Sequence, residues 1–431
     1  MAEQTRRISP ARNILGSLAM PGDKSISHRY ALLAGFAEGT SHFTNFSRGA
    51  DPASSLKCIS ALGASVWQNA DGTISVTGTS GRFTESTSAL DCGNSGSTMR
   101  MLAGLVAGQP FPTTLAGDAS LTARPMERIR RPLEQMGATI MLTDGRPPLV
   151  VHGGPLRAIE YATPVPSAQV KSAILFAGLQ AEGTTLVEES IRTRDHSEIA
   201  LQAFGAHLHR HGNTVSVRGG QPLHGIEARV PGDLSSAAFF LCAASLFPES
   251  SLVFDGVGMN PTRATLLDVL AALGARTRIL DLNEAHGELS GTIQLAAPPK
   301  GLGGATISGI LAAQLIDELP VLAAIAPYTN QGIQIRDARE LRVKESDRIA
   351  LVAKNLRAMG AQVTEYDDGL DVPGGQKLHG AEIDSGGDHR IAMAFSIAAL
   401  RATGDTLVQG AEHAAISFPE FFEFLDLVCE R

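Results

Sequence analysis

Apolar positions along the chain fall into two alternating kinds of segment. The first kind is amphipathic and ends in an apolar residue followed by Gly-Ala: Leu62-Gly63-Ala64, Met136-Gly137-Ala138, Phe204-Gly205-Ala206, Leu273-Gly274-Ala275 and Met359-Gly360-Ala361. Successive copies are 74, 68, 69 and 86 residues apart. Each follows a residue or pair suited to opening a helix, namely Asp51-Pro52, Arg124-Pro125, Asp195, Asn260-Pro261 and Ser346-Asp347. Each precedes a short alternating run, such as ATIML or AQVTEY, that reads as a strand. The glycine therefore falls just past a helix C-terminus, where the backbone needs a positive φ that glycine alone adopts freely.

The second kind is alanine-rich, nearly uncharged and helical in pattern, and begins in a polar turn. Six such segments start near Ser25, Ser97, Ser167, Ser235, Gln314 and His389. Helices apolar all round belong inside a core, so the Gly-Ala series should lie outside them. Pro419 to Glu430 forms a sixth amphipathic segment at the end of the chain. Its missing strand could come from the N-terminal stretch Arg7 to Ala19, closing the last domain with the first residues. Six units in 431 residues average about 72 each, and three make a domain of ordinary size. Pro-Gly-Asp occurs at both candidate crossings, Pro21-Gly22-Asp23 and Pro231-Gly232-Asp233. The expected domains are thus 21–231, and 1–20 together with 232–431.

Composition narrows the class. Apolar residues make up 43% and charged residues 19%, which supports full-sized cores and excludes a disordered chain. A net charge of -8 puts a generic nucleic-acid binder behind. Ala237 to Phe247, the longest strongly apolar run, is too short to cross a bilayer. The first twenty residues lack the apolar core of a secretory signal, and Cys58, Cys92, Cys242 and Cys429 show no CxxC spacing. These features predict a cytoplasmic protein with reduced thiols, no membrane span and no zinc cluster.

Unusual residues collect where the buried helices begin. Lys24, Ser25 and Arg29 share one such start; Asn94, Gly96 and Arg100 another; Ser167, Ala168, Gln169 and Lys171 a third. Free N–H groups and a partial positive charge at a helix N-terminus favour anions, so several such ends in one cleft would bind phosphates or carboxylates. Taken singly, each Gly/Ser/Asn turn is also an ordinary helix cap. Gly22-Asp23-Lys24-Ser25 is not a P-loop, which needs glycine directly before the lysine. In the second half, Asp317-Glu318 heads an apolar helix, where a solvated charge pair is the plainer account. Arg342 to Arg348 packs five charges into seven residues, ordinarily a solvated face; Lys344 and Arg348 share a helical face if the turn has begun. His28, His196 and His389 stand near helix starts, where each can titrate or cap.

These motifs resemble the 5-enolpyruvylshikimate-3-phosphate synthase family over nearly the whole chain: PGDKSISHR, DCGNSGSTMR, GDASLTARPM, PSAQVKSAIL, PGDLSSAAFF, LIDELPVLA, ELRVKESDRI, GDHRIAMAF and SFPEF, in order. The resemblance implies an α/β (α+β) two-domain enolpyruvyl transferase fold, an inside-out α/β barrel with three βαβαββ repeats per domain and the active site in the interdomain cleft. It implies transfer of the enolpyruvyl group of phosphoenolpyruvate to the 5-hydroxyl of shikimate 3-phosphate without metal or organic cofactor. Matched position by position, Lys24, Ser25, Arg29, Ser167, Ala168, Gln169, Arg194, Asp317 and Lys344 are the shikimate 3-phosphate residues. Lys24, Asn94, Gly96, Arg124, Gln169, Arg348 and Arg390 are those for phosphoenolpyruvate. Asp317 matches the proton acceptor, and Glu345, with Lys24, the proton donor and acceptor at the methylene carbon.

The Ser167-Ala168-Gln169 and GDASLTARPM forms resemble the class II branch, and Gly96 stands where some herbicide-tolerant class II members carry alanine, so glyphosate is an expected inhibitor. Many members carry a lysine shortly before the SFPEF-like segment, but Ala411 to Ser417 contains none. UDP-N-acetylglucosamine enolpyruvyl transferases share the fold and donor; their usual cysteine is missing from Gly117 to Pro125. A catalytically silent anion-binding homologue is a further alternative, opposed by the retention of Asp317 and Glu345. Expected partners are the two small-molecule substrates, with no nucleic acid or membrane, and the chain is expected to act as a monomer.

Overall fold

The computed structural model describes residues 4–431, so the first three residues of the expected 1–20 segment lie outside the described part. The chain divides into two compact units: Gly22–Val230 with the short stretch Glu284–Glu288, and the remainder, made of a segment ending at Pro21, Pro231–Asn283 and Leu289–Arg431.

The Gly22–Val230 unit contains three four-stranded sheets built to one plan. In the first, Thr40–Thr44 pairs antiparallel with Ile74–Thr77, which pairs antiparallel with Ser65–Gln68. Glu227–Arg229, from the far end of the unit, lies parallel on the other side of Thr40–Thr44. The sheets around Pro112–Ala116 and Thr184–Glu189 repeat this order, with Leu90–Asp91 and Glu160–Thr163 as the parallel strands. Each parallel strand thus belongs in sequence to the preceding repeat, and Glu227–Arg229 joins the last repeat back to the first.

The other unit follows the same plan with the N-terminal segment filling two gaps. Thr5–Ile8 pairs antiparallel with Thr406–Gln409, the position of a missing third strand. Asn13–Ala19 lies parallel to Ser251–Gly258 and antiparallel to Cys429–Glu430. The stretch Arg7 to Ala19 therefore supplies strands to two sheets where one was expected, because Ser9 to Arg12 breaks the extended run between them.

Inner helices start where polar side chains cap them. Asp23, Ser95, Ser167, Asp233 and Asp388 each accept a hydrogen bond from a first-turn N–H. Leu234–Ser245 is buried along its whole length. Burying Phe239, Phe240 and Leu241 stabilises the unit by roughly 1.5–3 kcal/mol each. The fifth inner helix departs from expectation. A short helix, Gly309–Gln314, ends before the Asp-Glu pair, and the buried helix is Leu319–Ile325, with Pro320 in its first turn. Proline is suited to a helix start, and it sets this one downstream of Gln314.

The outer helices begin later than their openings suggested at two places: Glu127–Met136 after Arg124-Pro125, and Thr265–Ala272 after Asn260-Pro261. The five Gly-Ala glycines all have positive φ, from +87° at Gly360 to +115° at Gly137. Buried apolar side chains form two separate clusters, one within each unit. Among the described residues no helix is long and apolar enough to cross a membrane.

Candidate active site

In the Gly22–Val230 unit, the heads of Lys24–Phe36, Gly96–Val106 and Ala168–Gly178 carry one set of polar groups. Lys24 Nζ lies 3.0 Å from Asp51 Oδ2, which holds the ammonium by the opposite charge. Arg29 is buried; its Nε donates to Ser197 Oγ at 2.6 Å, Nη2 to Ser172 Oγ at 3.1 Å and Nη1 to the Ser25 carbonyl at 2.8 Å. Burial lowers the Arg29 pKa to about 10, with Glu198 and Asp23 opposing that shift and Arg194 adding to it, so it remains a cation at neutral pH.

Asn94 receives Arg124 Nη2 on its Oδ1 at 2.8 Å and donates to Asp118 at 2.9 Å. Gly96 leaves room between two guanidiniums, since a Cβ there would come within 2.7 Å of Arg100 Nη1 and 3.3 Å of Arg124 Nη1. Gln169 accepts from Arg100 Nη1 at 2.7 Å and donates to Ser97 Oγ at 2.8 Å. The Ala168 carbonyl accepts from Ser172 Oγ at 2.6 Å.

The second set belongs to the other unit and converges on Asp317. Its Oδ1 lies 3.6 Å from Lys344 Nζ and 3.6 Å from Arg348 Nη1, and its Oδ2 lies 3.9 Å from Arg390 Nη2. Arg390 Nη1 donates to the Asp317 carbonyl at 2.8 Å. Arg348 is 1% exposed and donates through Nε to Asp388 Oδ2 at 2.8 Å and through Nη2 to Glu345 Oε2 at 2.6 Å. Burial works to discharge Arg348, but Asp388, Glu345 and Asp317 outweigh it and hold its pKa above the usual arginine value. Lys344 and Arg348 do not share a helical face: Arg339–Val343 is a 3₁₀ turn and the helix begins at Arg348, so the two cations meet on Asp317 through tertiary structure.

Glu318 is 4% exposed, accepts a hydrogen bond from Ser235 and stands 4.0 Å from Arg390, so the Asp317-Glu318 pair is no solvated helix head. The segment without lysine, Ala411–Ile416, is a 3₁₀ turn in which His413 Nδ1 bonds the Gly410 carbonyl at 2.8 Å. His28 is buried against Ser55, and burial followed by the charges of Lys24 and Arg29 holds its pKa well below the ordinary histidine value, so it stays neutral near pH 7. Arg100, Asp51 and Asp388 support these sets; the sequence places Arg100 at a buried helix start without assigning it to either substrate, and neither carboxylate stands out there as a site residue. The four-residue step from Gly96 to Arg100 offers a signal for the first; Asp51 reads only as a helix opening, and Asp388 lies within the GDHRIAMAF motif with nothing to single it out.

An α/β chain of two three-repeat units, with cations gathered at or just before helix starts in each, has the architecture of an enolpyruvyl transferase. The enolpyruvyl transferase NikO from Streptomyces tendae, at 20% identity, shares this fold with a TM-score of 0.79 over 98% of this chain and 96% of that one. The chain belongs to the EPSP synthase (3-phosphoshikimate 1-carboxyvinyltransferase) family, whose pattern matches residues 8–425. It is 64% identical to the 3-phosphoshikimate 1-carboxyvinyltransferase of Koribacter versatilis over 99% of both chains. It is 52% identical to that of Solibacter usitatus over 99% of this chain and all of that one. The EPSP synthase structure from Acinetobacter baumannii, at 39% identity, superposes with a TM-score of 0.87 over 99% and 98% of the two chains.

Proposed function

We propose that this chain transfers the enolpyruvyl group of phosphoenolpyruvate to the 5-hydroxyl of shikimate 3-phosphate, releasing phosphate. The observation that carries the reading is the full-length family match together with the two charged sets. Asp317 accepts the hydroxyl proton as the oxygen attacks C2 of phosphoenolpyruvate, while C3 takes a proton from Glu345, assisted by Lys24. Return of a C3 proton then accompanies cleavage of the C2–O bond to phosphate. Arg29, Arg194, Lys344 and the Ser167–Gln169 turn hold the acceptor. Asn94, Gly96, Arg124, Arg348 and Arg390 hold the donor, stabilising charge that grows on the departing phosphate. Gln169 and Lys24 serve both. The two sets must reach one pair of substrates, and we assign the reaction to the interdomain cleft between domains 21–231 and 1–20 with 232–431.

The same reading has the enzyme acting in the cytoplasm, as a monomer, without a cofactor. The decisive experiment measures phosphate release from phosphoenolpyruvate with shikimate 3-phosphate or UDP-N-acetylglucosamine as acceptor. Release with shikimate 3-phosphate alone supports the proposal; release only with the UDP-sugar, or none, overturns it. Glyphosate should inhibit, because Gly96 leaves space beside Arg100 and Arg124. Gly96→Ala pushes a methyl into that space, so its inhibition constant should rise by about tenfold or more; equal constants for the two proteins would refute this.

A further inference from the structure

Behind the Ser167–Gln169 turn lies a charged cluster that the proposed chemistry does not use. Lys171, one turn into Ala168–Gly178, is fully buried, with Nζ 2.8 Å from Glu189 Oε2 and 2.8 Å from Glu198 Oε1. Glu198 also pairs with Arg210, so two cations face two anions. Lys171, Glu189 and Glu198 are buried and Arg210 is partly exposed; burying three charges is costly, and apolar side chains of similar volume would commonly serve stability as well. Stability alone is therefore a poor account of the cluster.

Its connections lead to the acceptor residues. The other carboxylate oxygen of Glu189 accepts from the Thr193 backbone N–H at 3.2 Å and from the Thr193 hydroxyl, fixing the residue beside Arg194. Adjacent residues bridge the helices Ala168–Gly178 and His196–Ala203 twice, by Lys171 with Glu198 and by Ser172 with Ser197 at 2.5 Å. Both of these hydroxyls receive Arg29. Arg29, Arg194 and the Ser167 turn thus hang from one frame whose charge Lys171 balances. Without Lys171, Glu189 would lose its cation and Glu198 would keep only Arg210, leaving carboxylate charge to compete for the guanidinium of Arg29.

We propose that Lys171 is a positioning residue for the shikimate 3-phosphate side of the site, neutralising Glu189 and Glu198 so that Arg29 and Arg194 serve the substrate's anionic groups instead. The inference rests on the function proposed above. The test is steady-state kinetics with both substrates varied, on the wild type, Lys171→Met, Thr193→Val and the double variant Lys171→Met/Glu189→Gln, each checked for folding by thermal melt. In Lys171→Met the KM for shikimate 3-phosphate should rise about tenfold, with kcat and the KM for phosphoenolpyruvate within about threefold. The double variant again balances Glu198 against Arg210 and should recover most of the loss. Thr193→Val, which cuts the link to the Arg194 turn without burying a charge, should raise the same KM about threefold.

A folded Lys171→Met with unchanged KM, equal rises for both substrates, or no recovery in the double variant would overturn the inference. If Lys171→Met does not fold, an unchanged KM in Thr193→Val overturns it. A wild type that fails to turn over this substrate pair overturns the functional reading and this inference with it; failure of the variants alone leaves the functional reading intact.

Discussion

At Asp317, cations from two later stretches of chain converge: Lys344 and Arg348 from the turn and helix around 344–358, and Arg390 from the head of the last inner helix. In the proposed reaction this carboxylate takes the proton of the acceptor hydroxyl while the cations around it hold the substrate anions. An asparagine side chain in its place keeps the size and removes the basicity. We expect Asp317→Asn to lower kcat by on the order of 10²–10⁴, with the protein still folded by circular dichroism; near-normal turnover would remove Asp317 as the base.

His28 gives a residue-scale prediction of a different kind. Its folded pKa lies well below the unfolded value of about 6.5, chiefly through burial. The unfolded chain then binds a proton that the folded one refuses, so stability is unaffected above that value and falls as pH drops below it. His28→Gln should flatten the dependence of the melting temperature between pH 7 and pH 5, and identical slopes for the two proteins would contradict the assignment. The positions of His28, Asp317 and Lys24 stood out in the sequence because Gly, Ser and Asp punctuate the helix starts. Their partners did not: Asp51 meets Lys24 across 27 residues and Asp388 meets Arg348 across 40, distances at which spacing carries no signal.

Two glycines show what elements ask of their residues. Gly274, at the end of Thr265–Ala272, has φ +101°, and an added Cβ would meet only Pro298 at an ordinary 3.5 Å. Gly274→Ala should therefore cost about 1–2 kcal/mol, the strain of a left-handed backbone. Gly104 lies inside the buried helix Gly96–Val106, and a Cβ there would sit 2.1 Å from the Ala173 carbonyl of the neighbouring inner helix. Backbone cannot yield as a side chain end can, so Gly104→Ala should cost more, about 3 kcal/mol or above. Urea unfolding of both variants compares them, and an equal loss would refute the ranking. The role of Gly274 was legible from its Gly-Ala repeat. Nothing along the chain marks Gly104, since its reason lies on another helix 69 residues away.

For the whole molecule, the proposed reaction gives one pair of anionic substrates to cations carried by both units, Lys24, Arg29 and Arg124 on one and Lys344, Arg348 and Arg390 on the other. On that proposal both charged sets must reach the same anions, so shikimate 3-phosphate should compact the molecule. Small-angle scattering should show a smaller radius of gyration on its addition, and no change would refute closure. At this scale the Gly-Ala period announced repeats, because every repeat needs the same helix end and strand start. Where the N-terminal strands belong needed the pairing itself: Thr5–Ile8 and Asn13–Ala19 fill places in sheets formed some 240 to 400 residues later.

Helix ends, the inner and outer series and the family are written along the chain, since caps, glycines and apolar periodicity act locally and the family's motifs are contiguous. Which carboxylate holds which cation, where the fifth inner helix begins and why Gly104 has no side chain emerge only on packing. Those features depend on groups from distant stretches, and an ion pair or a backbone contact between them leaves no periodic trace along the chain.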